Sequence, residues 1–291
     1  MTLGRFEYHA PQSIPQAVQL LTQLGPDARV MAGGTDLLVK MRHHVVHPSA
    51  IVAIKGIPGL DRIEVDRDHG LTIGAAALLA DVATHPQIQA LYPAVSGAAQ
   101  MTANVQVRNM GTVVGNLCNA SPAADNAPSL LALEAQVEIQ GPRGVRHLPL
   151  AAFFKGPGQT ALAVDEIVTA VKAPPPRPAS AGVYLSLSAR GQLDCSAVGV
   201  GVVLALENQV CVHARIVIGA CAPTPIRVPQ AEALLEGRRW HSQTIEQAAG
   251  IAASLAQPID DLRASARYRH RMITVLAQRA LVQAGQSAAK K

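Results

Sequence analysis

The sequence predicts an α+β chain built in two parts, and three observations carry that reading. Short β-branched stretches and helical patterns fall into separate runs, which argues against a doubly wound parallel sheet. Pro174-Pro175-Pro176-Arg177-Pro178 is the clearest linker, stiff and extended, so a boundary is expected there. Beyond it, three strand patterns precede three helical ones. A chain of 291 residues has room for two modest domains with real cores. Hydrophobic residues make up 49% and charged residues 15%, which excludes disorder; with aromatics at 3%, the core is expected to be aliphatic.

Residues 13–25 read as the first helix. Ser13 with Gln16 makes a capping box, Ala17, Val18, Leu20, Leu21 and Leu24 form one apolar face, and Gly25 stops it. Pro26-Asp27 turns the chain into a short strand in which Ala28, Val30 and Met31 carry the apolar pattern. Two glycines end that strand within Ala32-Gly33-Gly34-Thr35-Asp36-Leu37-Leu38. Thr35 and Asp36 are placed to cap a following turn of helix through Leu37, Leu38 and Met41. Glycine tolerates positive φ and lets backbone approach a ligand, so successive N–H groups can converge on an anion. A helix start adds unpaired N–H groups and the positive end of its dipole. Such a junction also serves as a plain turn, and it is not the G-x-G-x-x-G of a Rossmann unit. His43, His44 and His47 follow, but Pro48 breaks their segment and no carboxylate is close in sequence; solvent-facing side chains are expected, not a metal pair.

Short strands are predicted at 50–54, 63–65 and 71–73, with turns at Gly59-Leu60-Asp61 and Asp68-His69-Gly70. Helices follow at 81–90, divided by Pro86, and at 93–101. A second glycine-bearing stretch runs Val107-Arg108-Asn109-Met110-Gly111-Thr112-Val113-Val114-Gly115-Asn116-Leu117-Cys118-Asn119-Ala120-Ser121-Pro122-Ala123-Ala124-Asp125. Its plain reading is a buried strand, a turn and a cap, with Asp125 capping a helix at 128–133. Its sharper reading is a second loop around the same diphosphate, Asn116 donating an amide and Asp125 accepting from ribose hydroxyls. Strands are then expected at 136–140, 145–148 and 166–171, with exposed aromatics in the Phe153-Phe154-Lys155-Gly156-Pro157-Gly158 loop. After the linker come antiparallel strands at 183–187, 197–206 and 210–218, then helices at 229–235, 242–255 and 265–283.

The net charge of +5 is spread along the chain with no basic helix or aromatic-studded basic strand. That argues against nucleic acid and suits a contact face for an acidic partner. Cys118, Cys195, Cys211 and Cys221 form no C-x-x-C pair and are expected as small buried hydrophobes. Residues 1–10 lack the apolar core of a signal peptide and no run reaches the length of a membrane span, so a reducing, cytoplasmic setting is expected. No nucleophile motif, Walker loop or paired-acid motif is present, which leaves the hard chemistry to a cofactor.

Taken together, Ala32-Gly33-Gly34-Thr35-Asp36-Leu37-Leu38 and Arg108-Asn109-x-Gly111-Thr112 through Gly115-Asn116 to Ala120-Ser121-Pro122-x-x-Asp125 resemble a known family. It is the FAD-binding medium subunit of molybdenum hydroxylases, the group of xanthine dehydrogenase, carbon monoxide dehydrogenase and 4-hydroxybenzoyl-CoA reductase. The resemblance implies a two-part PCMH-type FAD-binding domain at 1–176, then a smaller α+β domain at 181–287 with a three-stranded antiparallel sheet and helices. It implies noncovalent FAD that takes electrons from a small [2Fe-2S] subunit and passes them to NAD+ or another acceptor. Substrate hydroxylation would fall to a large molybdopterin subunit, within a dimer of heterotrimers.

The implied cofactor-binding set is Met31, Ala32, Gly33, Gly34, Thr35, Asp36, Leu37, Asn104, Thr112, Gly115, Asn116, Ser121, Ala124, Asp125 and Val168. In it, residues 32–35 place N–H groups on the pyrophosphate and Asp36 supports the loop. Thr112, Gly115 and Asn116 grip from the other side, Ser121 adds a hydroxyl, Asp125 holds the adenosine ribose and Val168 lines the ring. The Ser265-Ala266-x-Tyr268-Arg269 stretch matches a family signature read as packing and docking. Two departures stand out. Val114 replaces a usual glycine, which would cost about 1–3 kcal/mol if the position needed positive φ. Ser186 stands where relatives often place a lysine near the flavin, which bears on the NAD+ assignment. A freestanding flavin-dependent oxidase or dehydrogenase, or a flavin-free scaffold made plausible only by Val114, are the alternatives.

Overall fold

A computed structural model describes residues 3–191 and 194–291. Residues 1 and 2, part of the 1–10 stretch read against a signal peptide, and 192–193, inside the expected 181–287 unit, lie outside it.

The first helix, Ile14–Leu24, starts where Ser13 Oγ accepts from the Gln16 N–H at 3.3 Å and ends at Gly25 with φ +70°. The expected box closes differently: Gln16 Oε1 accepts from the N–H of Gln12. The helix sits beside a parallel sheet ordered Glu7–His9, Ala50–Ala53, Ala28–Met31. The outer strand Glu7–His9 is too short to be read as a pattern. A second, antiparallel sheet is ordered Ile63–Asp66, Gly70–Gly74, Ile167–Ala173, Gln136–Gly141, Gly144–Pro149. Helices pack on these sheets, among them Leu79–Thr84 and Pro86–Leu91, divided at Pro86 as expected, and Pro93–Met101.

Two local expectations need correction, and the question raised by Val114 is answered. Val113 and Val114 lie in a helix, Val113–Cys118, not a strand, because Thr112 Oγ1 caps it by accepting from the Gly115 N–H at 2.9 Å. Val114 therefore has helical backbone and is absent from the positive-φ positions, so the strain that valine could have brought does not arise. Phe153 is fully buried at the end of the helix Leu150–Phe153, edge-to-face against half-buried Phe154, so the 153–158 stretch does not display its aromatics.

A second core begins after the prolines. Four antiparallel strands run Ser180–Leu187, Val198–Glu207, Val210–Gly219, Ile226–Arg227, the last a two-residue addition to the expected three. Helices Pro229–Leu235, Ser242–Leu255 and Ala266–Ala288 cover one face. The other face receives Pro93–Met101 and Asn126–Ala132 from the first core, and three glycines make room for them. A Cβ at Gly201 would stand 2.7 Å from the Pro128 carbonyl, one at Gly219 2.8 Å from the Pro128 ring, and one at Gly182 3.1 Å from Ala94. Val198–Glu207 is consequently buried along nine of its ten residues. Arg269, 2% exposed, ties helix to sheet by donating to the carbonyls of Ala197 and Ala220 and to Asp261. This is the packing role expected of that motif, while its neighbour Tyr268 is exposed.

Candidate flavin cleft

One cavity of about 470 Å³ lies where the two glycine-bearing stretches meet, with a volume typical of small-molecule sites. Met31, Ala32, Gly33, Gly34, Thr35, Asp36 and Leu37 form its first wall. Thr112, Gly115, Asn116, Ser121, Ala124 and Asp125 form the second, and Val168 lies on a third side. Asn104 is not part of the lining: its side chain is turned to cap the Val105–Arg108 helix by accepting from the Val107 N–H at 2.8 Å.

The walls touch through glycine. A Cβ on Gly33 would drive into the Met110 carbonyl and stand 2.8 Å from Gly111 Cα, so this approach excludes any side chain. Gly34 takes φ +74°, a conformation costly for other residues. The N–H groups of Gly33, Gly34, Thr35 and Asp36 find no acceptor among the described residues, so four successive donors are available at one bend. The expected side-chain cap is not made. Asp36 stands at the cap position of Leu37–Arg42 without bonding it. Its carboxylate instead accepts from Asn119 Nδ2 at 3.0 Å, and Lys40 Nζ donates to Asn119 Oδ1 at 2.6 Å. Burial of the Asp36 carboxyl raises its pKa, opposed by the Lys40 charge, although the residue keeps an exposed surface. Lys40 also lines the cavity.

Side chains hold the second wall together. Asn126, 1% exposed, donates from Nδ2 to Asn116 Oδ1 at 3.0 Å and to Thr102 Oγ1 at 3.1 Å. With its oxygen engaged, Asn116 has its own NH2 left as a donor. Arg108, buried, donates to the carbonyls of Thr102 and Ala103 and so fixes Ala103 at φ +50° beside the cavity. Asp125 does not cap Asn126–Ala132 as expected. Its Oδ1 accepts instead from Tyr184 Oη and from Ser196 Oγ, each at 2.6 Å, and both donors belong to the second core. Burial raises the Asp125 pKa against the pull of those two bonds. Sequence spacing gives no signal for these partners, 59 and 71 residues downstream.

Other expectations sort as follows. Glu166, Ile167 and Val168 all line the cavity, and Glu166 is held by a bidentate bond from Arg146 at 2.7 and 2.6 Å. Ser186 is outside the lining. Cys211 and Cys221 are buried, Cys118 is half-buried with its thiol pushed up to about 12 by burial, and Cys195 is exposed at the cavity edge, contrary to expectation. His43, His44 and His47 lie on the surface, and no group of three or more potential ligands among the described residues could hold a metal. No helix among those residues is long and apolar enough to cross a membrane.

Residues 4–176 match the family described as the FAD binding domain in molybdopterin dehydrogenase, and residues 184–284 match the CO dehydrogenase flavoprotein C-terminal domain. The chain belongs to the FAD-binding medium subunits of the molybdenum hydroxylases. It is 34% identical to the carbon monoxide dehydrogenase medium chain of Hydrogenophaga pseudoflava over 95% of this chain and 96% of that one. It is 32% identical to a xanthine dehydrogenase FAD-binding subunit of Escherichia coli over 98% and 97%. A solved carbon monoxide dehydrogenase from Hydrogenophaga pseudoflava, which lacks the Mo-pyranopterin moiety of its cofactor, superposes with a TM-score of 0.95 at 34% identity, covering 99% of both chains. The cleft of this medium subunit suits the dinucleotide of its family: free main-chain donors at a glycine bend, a carboxylate with hydroxyl partners, and an apolar wall.

Proposed function

We propose that this medium subunit is an electron relay. It would take electrons from a [2Fe-2S] subunit and deliver them to NAD+ or another acceptor, while a molybdopterin subunit hydroxylates the organic substrate. The observation that carries this reading is the convergence of both glycine-bearing stretches on one cavity. Bound FAD supplies the exchange of one or two electrons. Residues 33–36 hold the diphosphate through their free N–H groups, with the Asn116 amide donating from the facing wall. Asp125 accepts from the adenosine ribose, Ser121 adds a hydroxyl, and Val168 with Ile167 keeps water from the ring. We read residues 1–176 and 181–287 as the two functional units, in a cytoplasmic dimer of heterotrimers.

The test is to co-express the chain with candidate iron–sulfur and molybdopterin partners and purify the assembly. The expected result is a flavin spectrum on this chain, bleached by substrate only when all three subunits are present. A colourless assembly overturns the reading, as does flavin turnover by this chain alone, which would mark a freestanding oxidase or dehydrogenase.

A further inference from the structure

We propose that Tyr184 and Ser196 are positioning residues that aim Asp125 at the ribose of an adenine nucleotide; this rests on the ribose reading given above. Each hydroxyl carries one proton, and both are directed to the same carboxylate oxygen. Their short distances are those of O–H donors to an ionised acceptor. Two donors fill the two lone-pair directions of Oδ1. Oδ2 has no hydrogen bond to the described residues, and Asp125 lines the cavity, so the oxygen left over is the one a ribose hydroxyl can use.

A purely structural latch does not require this arrangement. The two cores already meet through Ala94, Ala98, Ala132, Val203 and Val217, all buried. Placing a carboxylate and two hydroxyls in such an interface gives no stability beyond what well-packed apolar groups would provide. Asp125, Tyr184 and Ser196 are 8%, 7% and 4% exposed, so their polarity is spent in the interior. Position 199 is also kept clear for the tyrosine: a Cβ on Gly199 would stand 2.7 Å from its hydroxyl. The second core thus reaches into a cavity built mostly by the first and sets one side chain there.

The experiment strips flavin from the full-length chain and titrates it with ADP and with 2′,3′-dideoxy-ADP by calorimetry. Tyr184→Phe is expected to weaken ADP about ten-fold, the loss of one charge-assisted hydrogen bond, and to leave 2′,3′-dideoxy-ADP unchanged. Ser196→Ala should act in the same direction, and Gly199→Ala should reproduce the effect with both hydroxyls still present. Should Tyr184→Phe not fold, Ser196→Ala carries the same comparison. Parallel weakening of both nucleotides overturns the inference, because it marks general loosening of the cleft. So does wild-type ADP binding in Tyr184→Phe and Ser196→Ala while Asp125→Asn is weakened. Wild-type binding in Asp125→Asn removes the ribose contact itself and the positioning role with it, leaving the diphosphate contacts of residues 33–36 standing.

Discussion

Set side by side, residues 31–37 and residues 112–125 line the same cavity with different materials. The first wall offers main chain: a glycine at φ +74°, a second glycine pressed on the Met110 carbonyl, and four N–H groups without acceptors among the described residues. The second offers side chains, each fixed by a partner from elsewhere: Asn116 by Asn126, and Asp125 by Tyr184 and Ser196. A main-chain wall is encoded within a few residues and fails when a single Cβ is added. A side-chain wall depends on distant packing and fails by degrees.

The largest effect is therefore expected at Gly33→Ala, where the added methyl must part the two walls. We expect destabilisation of about 1–3 kcal/mol and no flavin retained through gel filtration, read from the absorbance ratio of flavin to protein. Retention at the wild-type level would show that the contact with Met110 is not needed. Next comes Gly201→Ala, which acts on the second wall from behind by pressing on Pro128, just past Asp125. Chemical denaturation should show a similar or smaller loss of stability, with flavin bound more weakly but still bound. Complete flavin loss would mean that the two walls are equally brittle.

A smaller and reversible effect is expected from pH. Burial raises the Asp125 pKa, so the folded chain holds that proton more tightly than the unfolded chain does. Between the ordinary aspartate value and the raised one, flavin-free protein should gain a little stability from this group as pH falls. Flavin release should quicken over the same window, because the neutral acid is a poorer acceptor. Asp125→Asn should abolish both slopes; if the release slope persists, another group sets it. The smallest effect is expected for Lys40→Met. It removes the 2.6 Å bond to Asn119 and with it the support of Asp36, which should speed flavin release about three-fold with little change in thermal midpoint.

The same contrast explains what could be read from the chain. The helix at 13–25, the split at Pro86, the glycine bend and the strands flanking the prolines all follow from local signals: caps, breakers and apolar spacing. The expected lining residues also come together, except Asn104, whose cap role satisfies it locally. Local signals misled where a competing cap or a tertiary partner decided the outcome. Val113 and Val114 suit a strand by propensity but turn into a helix once Thr112 caps Gly115. Asp125 has the sequence context of a cap, yet two stronger donors from beyond the linker claim it. Phe153 looked exposed because glycines and prolines follow it, and it is buried by the core above it. Tyr184 and Ser196 were beyond reach, since only chain crossing brings them to the cleft, whereas Asn126 follows Asp125 directly and its bond to Asn116 simply has no spacing signal.

The twice-covered strand Val198–Glu207 imposes an order on biosynthesis. Pro93–Met101 and Asn126–Ala132 leave the ribosome long before the sheet that shelters them, and the helix Ala266–Ala288 that seals the sheet's far side emerges later still. At about 5–20 residues per second, the nascent first half must carry bare alanine-rich helices for several seconds. Its final closure waits until Ala266–Ala288 has emerged to cover the sheet's far side.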